Sequence, residues 1–135
     1  MRIAVLSETD SIETRVAATP ETIKKYKALG ADVAVLAGAG EKAGVPDAEY
    51  EAAGATIAAG AAEAARDADI VLKVRRPGLG ELGGLKRGAI VVAIMDPYGN
   101  EAAIRALADA GVAAFAMELM PRITRAQVKL SLIHI

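Results

Sequence analysis

The sequence is poor in several residue types that carry chemistry. Its 135 residues include no cysteine, no tryptophan, one phenylalanine and one histidine. The absence of cysteine excludes disulfide bridges, thiolate metal sites and a cysteine nucleophile. Aromatic residues make up 3% of the chain, which excludes the stacking surfaces of single-strand nucleic-acid binders. The 16 basic and 17 acidic residues give a net charge of −1, so we expect no nucleic-acid partner.

Long hydrophobic runs are missing as well, although 53% of the residues are hydrophobic and the mean hydropathy is +0.31. A membrane-spanning helix needs roughly twenty apolar residues. The longest apolar runs, over residues 88–95 and 111–117, have the length of buried strands. The N-terminus shows no small-residue cleavage site. We therefore expect a soluble, intracellular domain that is large enough to bury its own core.

Short β-rich runs alternate with helical stretches along the chain. The runs cover residues 3–6, 32–37, 69–74, 89–95 and 112–117, with a weaker one at 55–58. They are continuously apolar rather than alternating, which indicates strands covered on both faces. The pattern predicts an α/β fold with a doubly wound, mostly parallel open sheet of about five strands. This three-layer sandwich, Rossmann-like or flavodoxin-like, binds ligands outside the carboxyl ends of its strands.

Three helices have recognisable ends in the sequence. Thr19 is the predicted N-cap of a helix that opens at Pro20 and closes at Gly30. Similar signals predict helices over residues 46–54 and 100–111. Each closing glycine is followed at once by a β-rich run, as expected for βαβ units.

Two glycine-rich segments match the dinucleotide fingerprint by letter, but their context is wrong for it. Residues 78–83 read G-x-G-x-x-G, yet only a few residues separate them from the next strand and leave no room for a helix. Residues 38–43 follow a strand, yet Gly44 and Pro46 interrupt the helix whose N-terminus would face a pyrophosphate. We interpret both segments as ordinary connections rather than phosphate loops.

Three further segments carry a family resemblance. They are Glu13-Thr14-Arg15-Val16-Ala17-Ala18-Thr19-Pro20, Val71-Leu72-Lys73-Val74 and Met117-Glu118-Leu119-Met120-Pro121-Arg122-Ile123-Thr124-Arg125-Ala126-Gln127. In this order they resemble the N-terminal domain of the alanine dehydrogenase and nicotinamide nucleotide transhydrogenase family, over residues 1–127. The last segment is most similar to the alpha subunit of the proton-translocating transhydrogenases. Residues 128–135, which end in mid-pattern and include His134, are expected to be a truncated or non-native tail.

The resemblance implies a function. The chain would be the N-terminal part of an NAD(H)-binding alpha subunit, whose full-length protein passes hydride from NADH to NADP⁺ while protons cross the membrane. NADP(H) would bind a partner subunit, and no metal would be needed. Arg122 and Gln127 would contact NAD(H), and no residue of the fragment would be catalytic by itself. The resemblance further implies a homodimer in the cytoplasm, attached to the inner membrane through its membrane and NADP(H)-binding partner subunits, and a fragment that is inactive alone.

Two other functions remain open. The chain is alternatively the N-terminal substrate domain of an alanine or opine-type dehydrogenase, or a non-catalytic flavodoxin-like module. Arg15, before a helix start, and Lys73, near the end of a strand, are expected at the cleft edge, where the dehydrogenase branch would use them to hold a keto acid. Asp96 stands where that branch has a histidine. An exposed aspartate with an ordinary pKa near 4 is a poor general acid, which counts against alanine oxidation.

Two arginines that follow the β-rich run at 69–74 form the densest basic cluster of the sequence. Arg75 and Arg76 precede Pro77, and phosphate contact is one interpretation of them. We favour the other interpretation, a solvated turn.

Overall fold

A single sheet of six parallel strands organises the fold in the computed structural model, which describes residues 1–8, 12–77, 85–96 and 98–119. The strands are β1 (Arg2–Val5), β2 (Asp32–Leu36), β3 (Thr56–Ala58), β4 (Ile70–Arg75), β5 (Ile90–Ile94) and β6 (Ala113–Ala116). The helices are α1 (Pro20–Ala28), α2 (Asp47–Ala52), α3 (Ala61–Ala65) and α4 (Glu101–Asp109), with short 3₁₀ turns at Glu41–Ala43 and Met117–Leu119. The weak run at 55–58 is thus a true strand, β3, in addition to the five strands that the other runs predict.

The strand order is β3-β2-β1-β4-β5-β6, and every neighbouring pair is parallel. The chain starts in the middle of the sheet, adds strands outward in one direction, then returns to β4 and continues in the other. This is the doubly wound, Rossmann-like order, and it confirms the predicted fold class. The order reverses between β1 and β4, so that their carboxyl ends form the topological switch point at which such sheets bind ligands.

Two separate cores lie on the two faces of the sheet and make the three layers. Ile23 of α1 and Tyr50 of α2 pack in the first core. Ala64 of α3 and Leu107 of α4 pack in the second. Alternate residues of β1 feed the two cores, because successive side chains of a strand point to opposite faces. A strand buried in this way must be apolar at every position, which explains the continuous runs in the sequence.

The helix ends follow the signals in the sequence. The Thr19 hydroxyl accepts the backbone N–H of Thr22 at 3.3 Å, which makes it the N-cap of α1. Gly30 follows that helix with a φ of +90°, a left-handed conformation that glycine adopts without strain. Helix α3 is missing from the expectations because it has five residues and Gly60 at its N-cap without a side-chain hydrogen bond. The described part of the chain holds no helix with the length and apolar character that crossing a membrane requires.

Candidate functional site

Glu8 lies at the switch point, where the carboxyl ends of β1 and β4 meet. Its Oε1 and Oε2 accept the backbone N–H groups of Arg75 and Val74 at 2.8 and 3.0 Å. Burial raises the pKa of the Glu8 carboxyl, and these N–H groups and the charge of Lys73 oppose that rise. Glu8 therefore ties the loop after β1 to the end of β4 by continuing the hydrogen bonding between the two strands.

Glu13 forms the centre of an ion-pair cluster at the same edge. Its Oε1 accepts the backbone N–H and the Nε–H of Arg15 at 3.0 and 2.9 Å. Its Oε2 accepts Nη2 of Arg15 at 3.0 Å and Nε of Arg75 at 2.8 Å. The Glu13 side chain is 4% exposed. Hydrogen bonds from the Arg15 side chain, helped by the Arg15 backbone and by Arg75, lower the pKa of Glu13 to about 2 against the effect of burial.

Arg15 also borders an open cavity of about 340 Å³. Its other lining residues are Thr14, Val16, Thr19, Lys42, Ala43 and Val45. The Arg15 side chain is 39% exposed and that of Arg75 is 47% exposed. These two cations share the carboxylate of Glu13, and the charge of Glu8 acts on Arg15 as well. Such a cluster is suited to a small anion.

Lys73 is buried near the carboxyl end of β4, and its charge acts on Glu8 at the switch point. The residue is 1% exposed. Its neighbours Leu72 and Val74 pack in the first core, so the alternation of the strand directs Lys73 to the opposite side of the sheet. Its role in a substrate pocket stays a prediction.

Arg75, the last residue of β4, is the cation that meets Arg15 at this edge. The expected solvated turn is wrong for Arg75, because it belongs to a strand and forms an ion pair with Glu13 at 2.8 Å. The length of the strand is the signal that could have predicted this position. If the strand predicted over 69–74 is extended by one residue, Arg75 stands at its carboxyl end.

Asp96 belongs to a second polar cluster, after β5. Its φ is +47°, a left-handed conformation that aspartate tolerates better than most residues. Glu118, in the turn after β6, accepts the N–H groups of Met95 and Asp96 at 3.1 and 2.6 Å. Arg76 donates to the Met95 carbonyl at 2.6 Å, and the Asn100 side chain donates to the Asp96 carbonyl at 3.0 Å. The backbone around Asp96 is therefore held from three sides.

The Asp96 side chain is exposed, and its Oδ2 accepts a hydrogen bond from the Asn100 side-chain amide at 3.4 Å. The roles of Arg15, Lys73 and Asp96 in a substrate pocket stay predictions. Glu118 itself is exposed, and the N–H groups of Asp96 and Met95 keep its pKa below the ordinary value although its partial burial acts in the opposite direction.

The glycine segment at 38–43 does not fit a pyrophosphate. A Cβ added to Gly40 would lie 2.7 Å from both Cε2 of Tyr50 and the carbonyl oxygen of Val45. The glycine is therefore needed for packing against the buried Tyr50 ring, whose hydroxyl donates to the Ala18 carbonyl at 2.7 Å. Glu41–Ala43 is a single 3₁₀ turn, too short to offer the helix N-terminus that a phosphate requires. The interpretation of this segment as an ordinary loop is confirmed.

Several predicted features lie outside the described residues. They are the second glycine segment at 78–83, the cofactor-contact candidates Arg122 and Gln127, and the tail at 128–135. Their expected roles stay predictions. Within residues 1–8, 12–77, 85–96 and 98–119, no three His, Asp or Glu side chains come together as a metal site.

A sequence model described as the N-terminal domain of alanine dehydrogenase/PNT matches residues 4–133. The chain belongs to this family. The match covers nearly the whole chain, reaching into all six strands and including both polar clusters at the carboxyl edge. The resemblance drawn from the three sequence segments is thereby confirmed.

Relatives in both branches of the family share this domain. The chain is 44% identical over 132 residues to an NAD(P) transhydrogenase subunit alpha of Rhodospirillum rubrum, covering 94% of this chain and 34% of the relative. It is 36% identical over 118 residues to the alanine dehydrogenase of Mycobacterium tuberculosis, covering 87% of this chain and 32% of the relative. The crystal structure of transhydrogenase from Sinorhizobium meliloti superposes with a TM-score of 0.90 at 56% identity, covering 94% of this chain and 38% of that one.

The chain therefore corresponds to about a third of the length of these relatives. The transhydrogenases of Rhodospirillum rubrum and Sinorhizobium meliloti, at 44% and 56% identity, are more similar to the chain than the alanine dehydrogenase of Mycobacterium tuberculosis, at 36%. These comparisons support a transhydrogenase-type N-terminal domain of an oxidoreductase family.

Proposed function

We propose that this chain is the N-terminal part of the NAD(H)-binding alpha subunit of a proton-translocating NAD(P) transhydrogenase. The observation that carries the proposal is the 44% identity over 132 residues with a transhydrogenase subunit alpha. In the full-length protein, hydride passes from NADH to NADP⁺, which a partner subunit holds. The subunit acts as a homodimer on the cytoplasmic side of the inner membrane, where membrane subunits couple the reaction to proton passage.

The chemistry of the carboxyl edge agrees with this proposal. Hydride transfer between two nicotinamides requires the rings to be held in contact, and it exchanges no proton with a substrate hydroxyl or amine. No general acid is then needed at position 96, where Asp96 has an exposed side chain. The nicotinamide supplies the redox chemistry when bound. Arg122 and Gln127 are the proposed contacts, since a guanidinium donates to phosphate or ribose oxygens and an amide both donates and accepts.

One observation favours the second candidate, an amino-acid dehydrogenase. Arg15 and Arg75 place two partly exposed guanidiniums at the switch point, where a keto-acid carboxylate would bind. Asp96 opposes this candidate because an exposed aspartate stands where the dehydrogenase branch has a histidine as general acid and base.

The two candidates are separated by assaying the full-length protein with its partner subunits. Reduction of an NADP⁺ analogue by NADH, without pyruvate or ammonia, is the result expected of a transhydrogenase. Oxidation of NADH that requires both pyruvate and ammonia would instead establish the amino-acid dehydrogenase. Arg15→Gln provides a matched probe, because it should abolish keto-acid turnover in a dehydrogenase and leave hydride transfer between nucleotides within about twofold in a transhydrogenase.

A further inference from the structure

Glu118 extends the contact between β5 and β6 beyond their last paired residues. The pairing of the two strands stops at Ala93 and Ala116. Two residues farther along the chain from each of these, the Glu118 carboxylate accepts the backbone N–H groups of Met95 and Asp96 at 3.1 and 2.6 Å. Because β6 is an edge strand with β5 as its neighbour, this carboxylate ties the chain that leaves β6 to the sheet.

The backbone that Glu118 binds is itself held from two other directions. Arg76, which follows β4, donates to the Met95 and Asp96 carbonyls at 2.6 and 3.3 Å. The Asn100 side chain, at the N-cap of α4, donates to the Asp96 carbonyl at 3.0 Å. The φ of Asp96 is +47°, a conformation that residues other than glycine keep where their surroundings impose it. Glu118 is therefore bound to a fixed point of the sheet.

The segment with the two proposed NAD(H) contacts follows this anchor directly. Arg122 is four residues from Glu118 and six from Ala116, the last residue of β6. An extended chain covers at most about 3.5 Å per residue, so Arg122 stays within roughly 14 Å of Glu118 but within roughly 21 Å of Ala116. If Ala116 were the last fixed residue, the volume open to the Arg122 backbone would therefore be about three times larger.

We propose that Glu118 is a positioning residue, whose carboxylate fixes the point at which the segment with Arg122 and Gln127 leaves the sheet. The inference rests on the proposed function, in which those two side chains contact NAD(H). Hydride transfer requires near-attack geometry, and a displacement of about 1 Å can slow a reaction on the order of a hundredfold. Affinity is less sensitive, because the pyrophosphate contacts are expected elsewhere in the full-length protein. Loss of the anchor should therefore reduce the rate more than the affinity.

The anchor is tested first without nucleotide, by NMR of the 135-residue chain. In the wild type, the amide protons of Met95 and Asp96 should resonate at low field and exchange slowly, because both donate to a carboxylate. In Glu118→Gln, one N–H faces the NH₂ group of the new amide. At least one of the two signals should then move upfield and exchange roughly tenfold faster. The remaining amide signals report whether the fold is kept.

Glu51→Gln is the charge-matched control for this measurement. Glu51 is exposed on α2, so its replacement should leave the amide signals of Met95 and Asp96 unchanged. If both signals are also unchanged in Glu118→Gln, the proposal is overturned.

The second measurement uses the full-length protein with its partner subunits. Glu118→Gln should slow hydride transfer from NADH by about tenfold and raise the Kd of NADH by no more than about threefold. The substitution is then repeated in a variant in which Arg122 and Gln127 are both replaced by alanine. Because Glu118 acts through those side chains, it should slow transfer in that variant by less than about twofold, whereas a general structural defect would again cost about tenfold.

The outcomes separate this inference from the proposed function. With an active wild type, a tenfold effect that persists in the double-alanine variant would overturn the inference alone. A Glu118→Gln protein that transfers hydride within about twofold of the wild-type rate would do the same. A wild type that passes no hydride from NADH to an NADP⁺ analogue would overturn the proposed function, and the positioning role with it.

Discussion

At the residue scale, glutamates organise the carboxyl edge of the sheet. Glu8 follows β1 and accepts two consecutive N–H groups at the end of β4. Glu118 follows β6 and accepts two consecutive N–H groups after β5. In each case a carboxylate that follows one strand accepts the backbone N–H groups at the end of the adjacent strand, where the hydrogen bonds between the two strands stop. The same edge can then hold positively charged residues without leaving backbone donors unpaired.

Glu13 should make the stability of the protein fall in acid. Its pKa is about 2 in the folded state and 4.5 in the reference state, so its stabilising effect is complete above about pH 4.5 and is lost as the pH falls towards 2. We expect a contribution on the order of 2 kcal/mol, reduced by solvent screening because both arginines are partly exposed. Urea unfolding of the wild type and Glu13→Gln should differ by this amount at pH 7 and converge near pH 2. Two curves that stay parallel from pH 7 to pH 3 would contradict the assignment.

Tyr50 should stabilise the loop that carries Arg15. Its ring is 0% exposed, and its hydroxyl donates to the Ala18 carbonyl at 2.7 Å. Because Ala18 is fully buried as well, Tyr50→Phe leaves that carbonyl without this donor, which costs about 1–3 kcal/mol. Chemical denaturation measures the loss. Tyr98→Phe, at a residue 79% exposed, is the control and should leave the unfolding free energy unchanged; equal losses in both variants would show that the Ala18 hydrogen bond has no special weight.

The residue scale is also where sequence reasoning is weakest. Arg75 is assigned to a turn because its partner, Glu13, is 62 positions away in the chain, and no local pattern reports such a pair. Glu8 is missed for the same reason, since its role as an acceptor depends on the register between β1 and β4.

At the scale of the elements, the connection after β2 shows how a glycine motif can serve packing. Gly40 approaches the Tyr50 ring and the Val45 carbonyl so closely that any Cβ would lie 2.7 Å from each. Gly40→Ala should therefore destabilise the fold by about 1–3 kcal/mol, because the backbone carbonyl cannot move aside. Gly60→Ala, where a Cβ meets nothing within 4 Å, should change the unfolding free energy by no more than about 0.5 kcal/mol. A phosphate loop would behave differently: Gly40→Ala would then weaken anion binding and leave stability intact.

Element-scale prediction succeeds here for a physical reason. A strand buried on both faces must be continuously apolar, and a helix between two such strands needs a cap and a closing glycine, so the positions of β1, β2, β4 and β5 follow from local signals. Helix α3 is not predicted from the sequence because its alanines, with Gly60 at the N-cap, offer no side-chain capping signal. Strand β3 has only a weak signal in the sequence because it is three residues long. Its extended conformation depends more on its hydrogen bonds with β2 than on its own composition.

At the scale of the whole molecule, one folded sheet accounts for the domain but does not provide a complete dinucleotide site among its described residues. The switch point supplies an ion-pair cluster and a cavity of about 340 Å³, and the glycine segment after β2 is used for packing against Tyr50. Only the candidate contacts at Arg122 and Gln127 are expected from this chain, which spans 34% of a transhydrogenase relative. The remaining contacts must come from the rest of the full-length protein if the proposed function is right.

The 135-residue chain should accordingly bind NADH weakly and catalyse no hydride transfer. The described glycine segment at 38–43 offers no helix N-terminus for the pyrophosphate, so we expect most of the binding free energy of a dinucleotide to be missing. We expect a Kd weaker than about 1 mM by calorimetry, which corresponds to a binding free energy of less than about 4 kcal/mol. Micromolar affinity in the 135-residue chain would show that the pyrophosphate site lies within it.

In the full-length protein, Gln127→Asn should slow hydride transfer more than it weakens NADH affinity, because a shortened amide displaces the nicotinamide without removing the phosphate contacts. Equal losses in rate and affinity would assign Gln127 to general binding.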